Sequence, residues 1–173
     1  MPLNTDIDRL ALGEVSHAGR HYMFLFDVAD ERFVAAARYE VHPRYFECVN
    51  LVSDGYGPTM FMLLMQKARR EGMLGVAPDL LYNSDEAKRM DARFYSDALP
   101  GVSYVANDDA RHAEVYLNQI YFLTGDAVGE ATARANAEGY FGDLLRPGAS
   151  PEELGALVER LEAYLFRSEL PFK

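Results

Sequence analysis

Two stretches carry residue types at a spacing that chemistry can use. The first is Ser53-Asp54-Gly55-Tyr56-Gly57-Pro58-Thr59. It joins an apolar, β-branched and aromatic run (45–52) to a long apolar run (59–71) that stops at Gly72. The two glycines suit a tight turn, and Pro58 suits a first helical position, where its missing N–H costs nothing. A strand that turns through Gly-x-Gly into a helix aims several backbone N–H groups and a positive dipole end at one point, which makes an anion site. The same turn also serves α/β units that bind nothing. The second stretch holds Glu47 within Tyr45-Phe46-Glu47-Cys48-Val49-Asn50-Leu51. In a strand, Tyr45, Glu47, Val49 and Leu51 share one face. A carboxylate among such neighbours has its pKa raised by burial, towards a value useful to a proton acceptor. At an edge it is simply solvated.

Other chemistries have less to stand on. His17, His21, His42 and His112 show no metal-ligand spacing among themselves, and Cys48 is the single cysteine, so no metal site is expected. His42, before Pro43, reads as a turn residue. There is no Gly-x-Ser-x-Gly and no P-loop lysine. Asp108-Asp109 reads as part of a solvated loop. The net charge of −10 argues against nucleic acid, whose phosphates call for clustered Lys and Arg; Lys67, Arg69 and Arg70 form the one dense group, at a helix end where cations offset the dipole.

The elements that position these residues follow from pattern. The 173 residues, 49% hydrophobic and 25% charged, suit a single domain with a sizeable core. No apolar run approaches a membrane span, the N-terminus lacks a basic region ahead of an apolar stretch, and a cytosolic location is expected. Asn4-Thr5-Asp6 ahead of Ile7, Leu10 and Leu12 reads as a short capped helix ending by Gly13. Residues 21–29, 33–41 and 45–52 read as an antiparallel meander. The helix from Pro58 follows, and the segment after Gly72 returns beside the third strand as a parallel crossover. Residues 87–95 read as a helix capped by Asn83 or Ser84, and 102–106 as a strand. Residues 112–123 fit a helix or a strand, and 125–146 read as helical. Ser150-Pro151-Glu152-Glu153 reads as a capping box that opens a last helix. Its stripe of Leu154, Leu157, Val158, Leu161, Tyr164 and Leu165 docks on the domain or on a second copy, as in a homodimer.

The order strand, strand, strand, Gly-x-Gly turn, helix, strand, helix, strand resembles the GNAT acyltransferase superfamily. The likeness is closer to small GNAT-like proteins encoded by bacteriophages, through Gly55-Tyr56-Gly57-Pro58, Pro78-Asp79, Ser84-Asp85-Glu86-Ala87 and Phe94-Tyr95 in that order. It covers about residues 21–106. The resemblance implies an α+β fold, an α/β mixed sheet with a helical C-terminal extension over residues 126–173. It implies an acyl-coenzyme A-dependent N-acyltransferase that uses acetyl-CoA on a small-molecule or protein amine acceptor. The turn residues Val52, Ser53, Gly55, Tyr56, Gly57, Pro58 and Thr59 are then the cofactor-binding segment, Glu47 the base and Tyr95 the acid for the departing thiolate. Val52 stands where the family has Arg or Gln, and Asp54 puts a negative charge beside the turn. The family's first strand and helix pair is barely represented in residues 1–20. A DNA base is a second kind of acceptor within this resemblance. A non-catalytic interaction or virion-associated protein, with the last helix as its interface, is the alternative from another class.

Overall fold

The computed structural model describes residues 6–78, 85–95, 101–108, 119–125 and 129–167. They form an α+β structure around one mixed sheet of seven strands in the order β1-β2-β3-β4-β5-β7-β6. The strands are β1 (Leu10–His17), β2 (Arg20–Asp27), β3 (Arg32–Val41), β4 (Phe46–Ser53), β5 (Val76–Pro78), β6 (Val102–Ala106) and β7 (Gln119–Leu123). The helices are α1 (Gly57–Arg70), α2 (Asp85–Tyr95), α3 (Ala131–Phe141) and α4 (Pro151–Leu165), with a 3-10 turn at Gly142–Leu145. Among the described residues no helix is long and apolar enough to cross a membrane.

The N-terminal expectation is overturned. Residues from Leu10 form a strand, not the tail of a short helix. β1 and β2 make a hairpin closed at His17↔Arg20 by Ala18 (φ +52°) and Gly19 (φ +76°). Two central residues at positive φ give the type I′ turn whose twist matches that of the strands. Gly13 faces Phe24 across this pair, and a Cβ on it would lie 2.3 Å from the Phe24 ring. The glycine that looked like a helix stop makes room for an aromatic ring.

The other elements follow the apolar runs. β5 lies parallel to β4, with Phe46↔Val76, Glu47↔Ala77 and Cys48↔Pro78 in register, as a strand–helix–strand crossover requires. Gly72 takes φ +73° and ends α1. α1 begins one residue early, at Gly57, so Pro58 is its second residue. The ambiguous stretch resolves over its last five residues as β7, antiparallel to β6 from Val102↔Leu123 to Ala106↔Gln119. Gly75 lets β5 and β7 approach: a Cβ there would meet the Tyr121 carbonyl oxygen at 2.1 Å. The proposed cap at Asn83 or Ser84, Asp79, residues 109–118 and residues 126–128 lie outside the described residues. Ser150 precedes α4 but makes no side-chain cap bond; its carbonyl instead accepts from Leu154 N–H at 3.0 Å, so the capping box does not form.

The chain divides into two compact units. One comprises Met1–Arg38, Asn50–Met60 and Gly129–Lys173; the other comprises Tyr39–Val49 and Phe61–Val128. The first has an aromatic core of Tyr22, Phe24, Phe26 and Phe33, onto which α4 places Leu157, Val158, Leu161 and Leu165. The stripe on α4 is therefore covered by this chain's own sheet and is not an exposed interface. Polar contacts fix the same docking: Tyr22 Oη donates to Glu162, and Arg20 pairs with Glu162 at 2.8 Å. The second unit is built on Phe61, Phe94 and Tyr121, with ring centroids 5.1–6.3 Å apart, and Leu63, Leu64 and Met65 of α1 are fully buried as well.

Candidate functional site

In the first unit the chain leaves β4 at Ser53, passes Asp54 and Gly55 (φ +94°), and enters α1 at Gly57. The positive φ at Gly55 is the conformation the turn needs and that other residues resist. The turn is held from both flanks. Asp54 N–H donates to the Val34 carbonyl at 2.8 Å, and the buried Tyr56 accepts from Arg9 Nη2 at 3.1 Å. The first intrahelical bond runs from Met60 N–H to the Tyr56 carbonyl at 2.8 Å. No acid lies in the first turn of α1, so its positive end has no side-chain carboxylate within the helix to offset it.

Asp54 is bound rather than facing the turn as a free charge. Arg167 grips it with both guanidinium ends, Nη1 to Oδ2 at 3.3 Å and Nη2 to Oδ1 at 3.1 Å. Tyr164 Oη donates to Oδ2 at 3.1 Å, and Arg32 Nη1 stands 3.7 Å away. The Arg167 hydrogen bonds hold the Asp54 carboxyl below its ordinary range; burial opposes them, and Tyr164 and the charge of Arg32 add to them. Burial pushes the Tyr164 phenol well up, so it remains a donor at neutral pH. An open cleft of about 440 Å³ beside Asp54 is lined by Arg32, Arg160 and Arg167 among others, so cations outnumber the acids Glu31 and Asp54 around it.

These contacts set a pH dependence. A carboxyl lowered on folding adds stability that is complete above its unfolded value, about 3.9, and that is lost as pH falls through the folded value. The Glu162 carboxyl is also lowered, first by Tyr22, and acts with the same sign. Asp54→Asn should therefore flatten the fall of melting temperature below about pH 4 relative to the parent, with Glu162 common to both. Parallel slopes for the two proteins would show that Asp54 carries none of the acid sensitivity.

Val52 does not present its side chain as a ligand. It packs, partly buried, against the aromatic core of the first unit. Only its backbone is available to a cofactor, and an Arg or Gln side chain there would have to displace that packing.

In the second unit, β4 lies between β3 and β5 and Glu47 is not on an edge. Its side chain is 15% exposed, so it is neither solvated nor surrounded only by apolar groups. His42 Nε2 lies 2.9 Å from Glu47 Oε1, and Glu40 Oε2 lies 3.9 Å from the same nitrogen. The His42 ring stacks on Tyr45 at 4.6 Å and 8°, and the His42 backbone N–H donates to the Tyr45 carbonyl at 2.9 Å. His42 is thus more than a turn residue. Among the described residues, one ligand atom from each of Glu40, His42 and Glu47 falls within 4.8 Å of the other two, a grouping that the sequence reading did not single out. Histidine and cysteine spacing overlooked it because two of the three are glutamates. The available signal was Glu40-x-His42, which puts both side chains on one side of an extended chain. Tyr95, at the end of α2, is half-buried and stacked on Tyr104, with centroids 4.7 Å apart at 27°.

No protein-family model, curated protein or solved structure matches this chain.

Proposed function

We propose that the chain is a GNAT-type N-acyltransferase that takes its acyl group from acetyl-coenzyme A. The observation that carries this reading is the turn from β4 into α1. It joins a left-handed Gly55 to a helix start with no acid in its first turn, and the carboxylate within the turn, Asp54, is already matched by Arg167, Arg32 and Tyr164. The charge that counted against an anion at this turn is compensated. Topology adds support: β4 and β5 are parallel, in keeping with the strand–helix–strand crossover of that superfamily.

In this reading the backbone of Ser53, Gly55, Tyr56, Gly57 and Thr59 holds the pyrophosphate, Pro58 fixes the helix entry, and Val52 contributes main chain only. The bound thioester supplies the acyl carbon. Glu47, oriented by His42, takes the proton from the attacking amine directly or through water. As the C–N bond forms and the C–S bond breaks, Tyr95 gives its proton to the departing sulfur. The acidic chain favours a cationic amine over DNA as acceptor. The non-catalytic alternative named the last helix as its interface; Leu157, Val158, Leu161 and Leu165 of that stripe are buried against this chain's own core, with Leu154 and Tyr164 partly buried.

The test is the melting temperature in acetyl-coenzyme A. At 100 times its Kd a ligand of the native state stabilises by about 2.7 kcal/mol, or roughly 5–10 °C for a chain of this size. No shift at millimolar ligand would remove the reading.

A further inference from the structure

We propose that Glu40, His42 and Glu47 form a binding site for a divalent first-row transition metal, with Zn²⁺ as the best fit. The inference stands on the geometry of the second unit alone and does not depend on acyl transfer.

Three observations carry it. First, a single imidazole nitrogen, His42 Nε2, lies near both carboxylates: 2.9 Å from Glu47 Oε1, a hydrogen bond, and 3.9 Å from Glu40 Oε2, a looser approach. Ligand atoms bonded tetrahedrally to Zn²⁺ at about 2.0–2.1 Å lie about 3.3 Å apart, and these two distances straddle that value. Second, two of the ligands are already oriented. Glu47 projects from the paired strand β4 with its side chain 15% exposed, and Tyr45 stacking fixes the plane of His42. Third, the ligand that must move furthest is the one that can. The Glu40 side chain is 64% exposed at the end of β3, and a rotamer change brings its carboxylate closer. A dication at this point takes one ligand atom from each of the three side chains.

One nitrogen and two oxygen ligands suit Zn²⁺, Co²⁺ or Ni²⁺ better than Mg²⁺ or Ca²⁺, which take oxygen throughout. Three protein ligands leave a coordination position for water. A Glu47 carboxylate that ligates an ion is not available as a proton acceptor, so under the acyltransferase reading the metal-bound form is the silent one.

The test uses the full chain, stripped with chelator and free of acetyl-coenzyme A. Co²⁺ is titrated while its visible ligand-field bands are followed, and Zn²⁺ is titrated by calorimetry. The expected result is one ion per chain with Kd below about 1 mM, and release of protons on binding. Changes outside the ligands themselves cost metal sites about 10–100-fold, so loss of the imidazole in His42→Ala should cost at least about 100-fold. His42→Gln keeps a planar side chain against Tyr45, and Glu47→Gln keeps the shape of the strand residue; both should lose the ion while their melting temperatures stay near the parent's. His17→Ala should bind as the parent does. Absence of Co²⁺ bands and of Zn²⁺ heat up to about 1 mM would overturn the proposal. So would binding undiminished in the His42 and Glu47 variants, which would put the ion elsewhere. Because the readout is metal binding, its failure leaves the thermal shift with acetyl-coenzyme A unaffected, and the reverse also holds.

Discussion

Glu47→Gln is expected to slow acyl transfer by about 10²–10⁴-fold while leaving acetyl-coenzyme A affinity unchanged. The amide keeps the size of the side chain and its place on β4, but it cannot accept the amine's proton. The effect belongs in kcat, because the lost interaction is made only as the amine is deprotonated. His42, 2.9 Å from Glu47, is in position to orient the carboxylate, so His42→Ala should show a smaller fall with the same sign. The assay follows release of the coenzyme A thiol with an amine the parent acylates, in the presence of chelator. A change of less than about 10-fold in Glu47→Gln would remove Glu47 as the base and leave proton removal to solvent or another group.

Phe24→Ala carries the largest expected effect on stability, a loss of about 3–5 kcal/mol. The Phe24 side chain is fully buried. Its ring fills the space that Gly13 leaves open and meets Phe33 and Phe141 edge-to-face, each at 5.4 Å. Those contacts belong to the core on which α4 packs, so truncation opens a cavity that the sheet cannot close without distorting the β1–β2 hairpin. Urea unfolding should show a lower midpoint with little change in slope. A loss below about 1 kcal/mol would mean the hairpin collapses onto the vacated space, and that the Gly13–Phe24 pairing does not fix its geometry.

Much of this fold was legible because the signals are local. β2, β3 and β4 are apolar runs ended by Gly, Pro or charged turns, and α1 is an apolar run between Pro58 and Gly72. β1 was misread because Leu10-Ala11-Leu12-Gly13 neither alternates nor excludes a helix, and the purpose of Gly13 lies in a residue eleven positions on. β7 was half-legible: with 112–118 outside the described residues, its strand character rests on pairing with β6, which no window of its own sequence contains.

The site divides the same way. The glycine turn was visible as a motif. The compensation of Asp54 was not, because Arg167 stands 113 positions away and nothing local links the two. Glu47 was visible as a carboxylate on a strand, but its environment was not, since whether it meets His42 depends on the register around the His42-Pro43 turn. Val52 stood out in sequence as a missing cation, whereas in the structure it is a packing residue of the aromatic core.

The central claim is that the turn at Gly55 and Gly57 holds the anionic part of acetyl-coenzyme A. Calorimetric titration of that ligand into the parent and into Gly57→Glu tests it most directly. Gly57 is not among the glycines with positive φ, and a carboxylate at the start of α1 suits the helix dipole, so the variant should fold and melt like the parent. The same carboxylate repels a pyrophosphate at that turn. The account predicts one-to-one binding in the parent and none in the variant. Binding absent from the parent at millimolar ligand, or retained in Gly57→Glu, would contradict it.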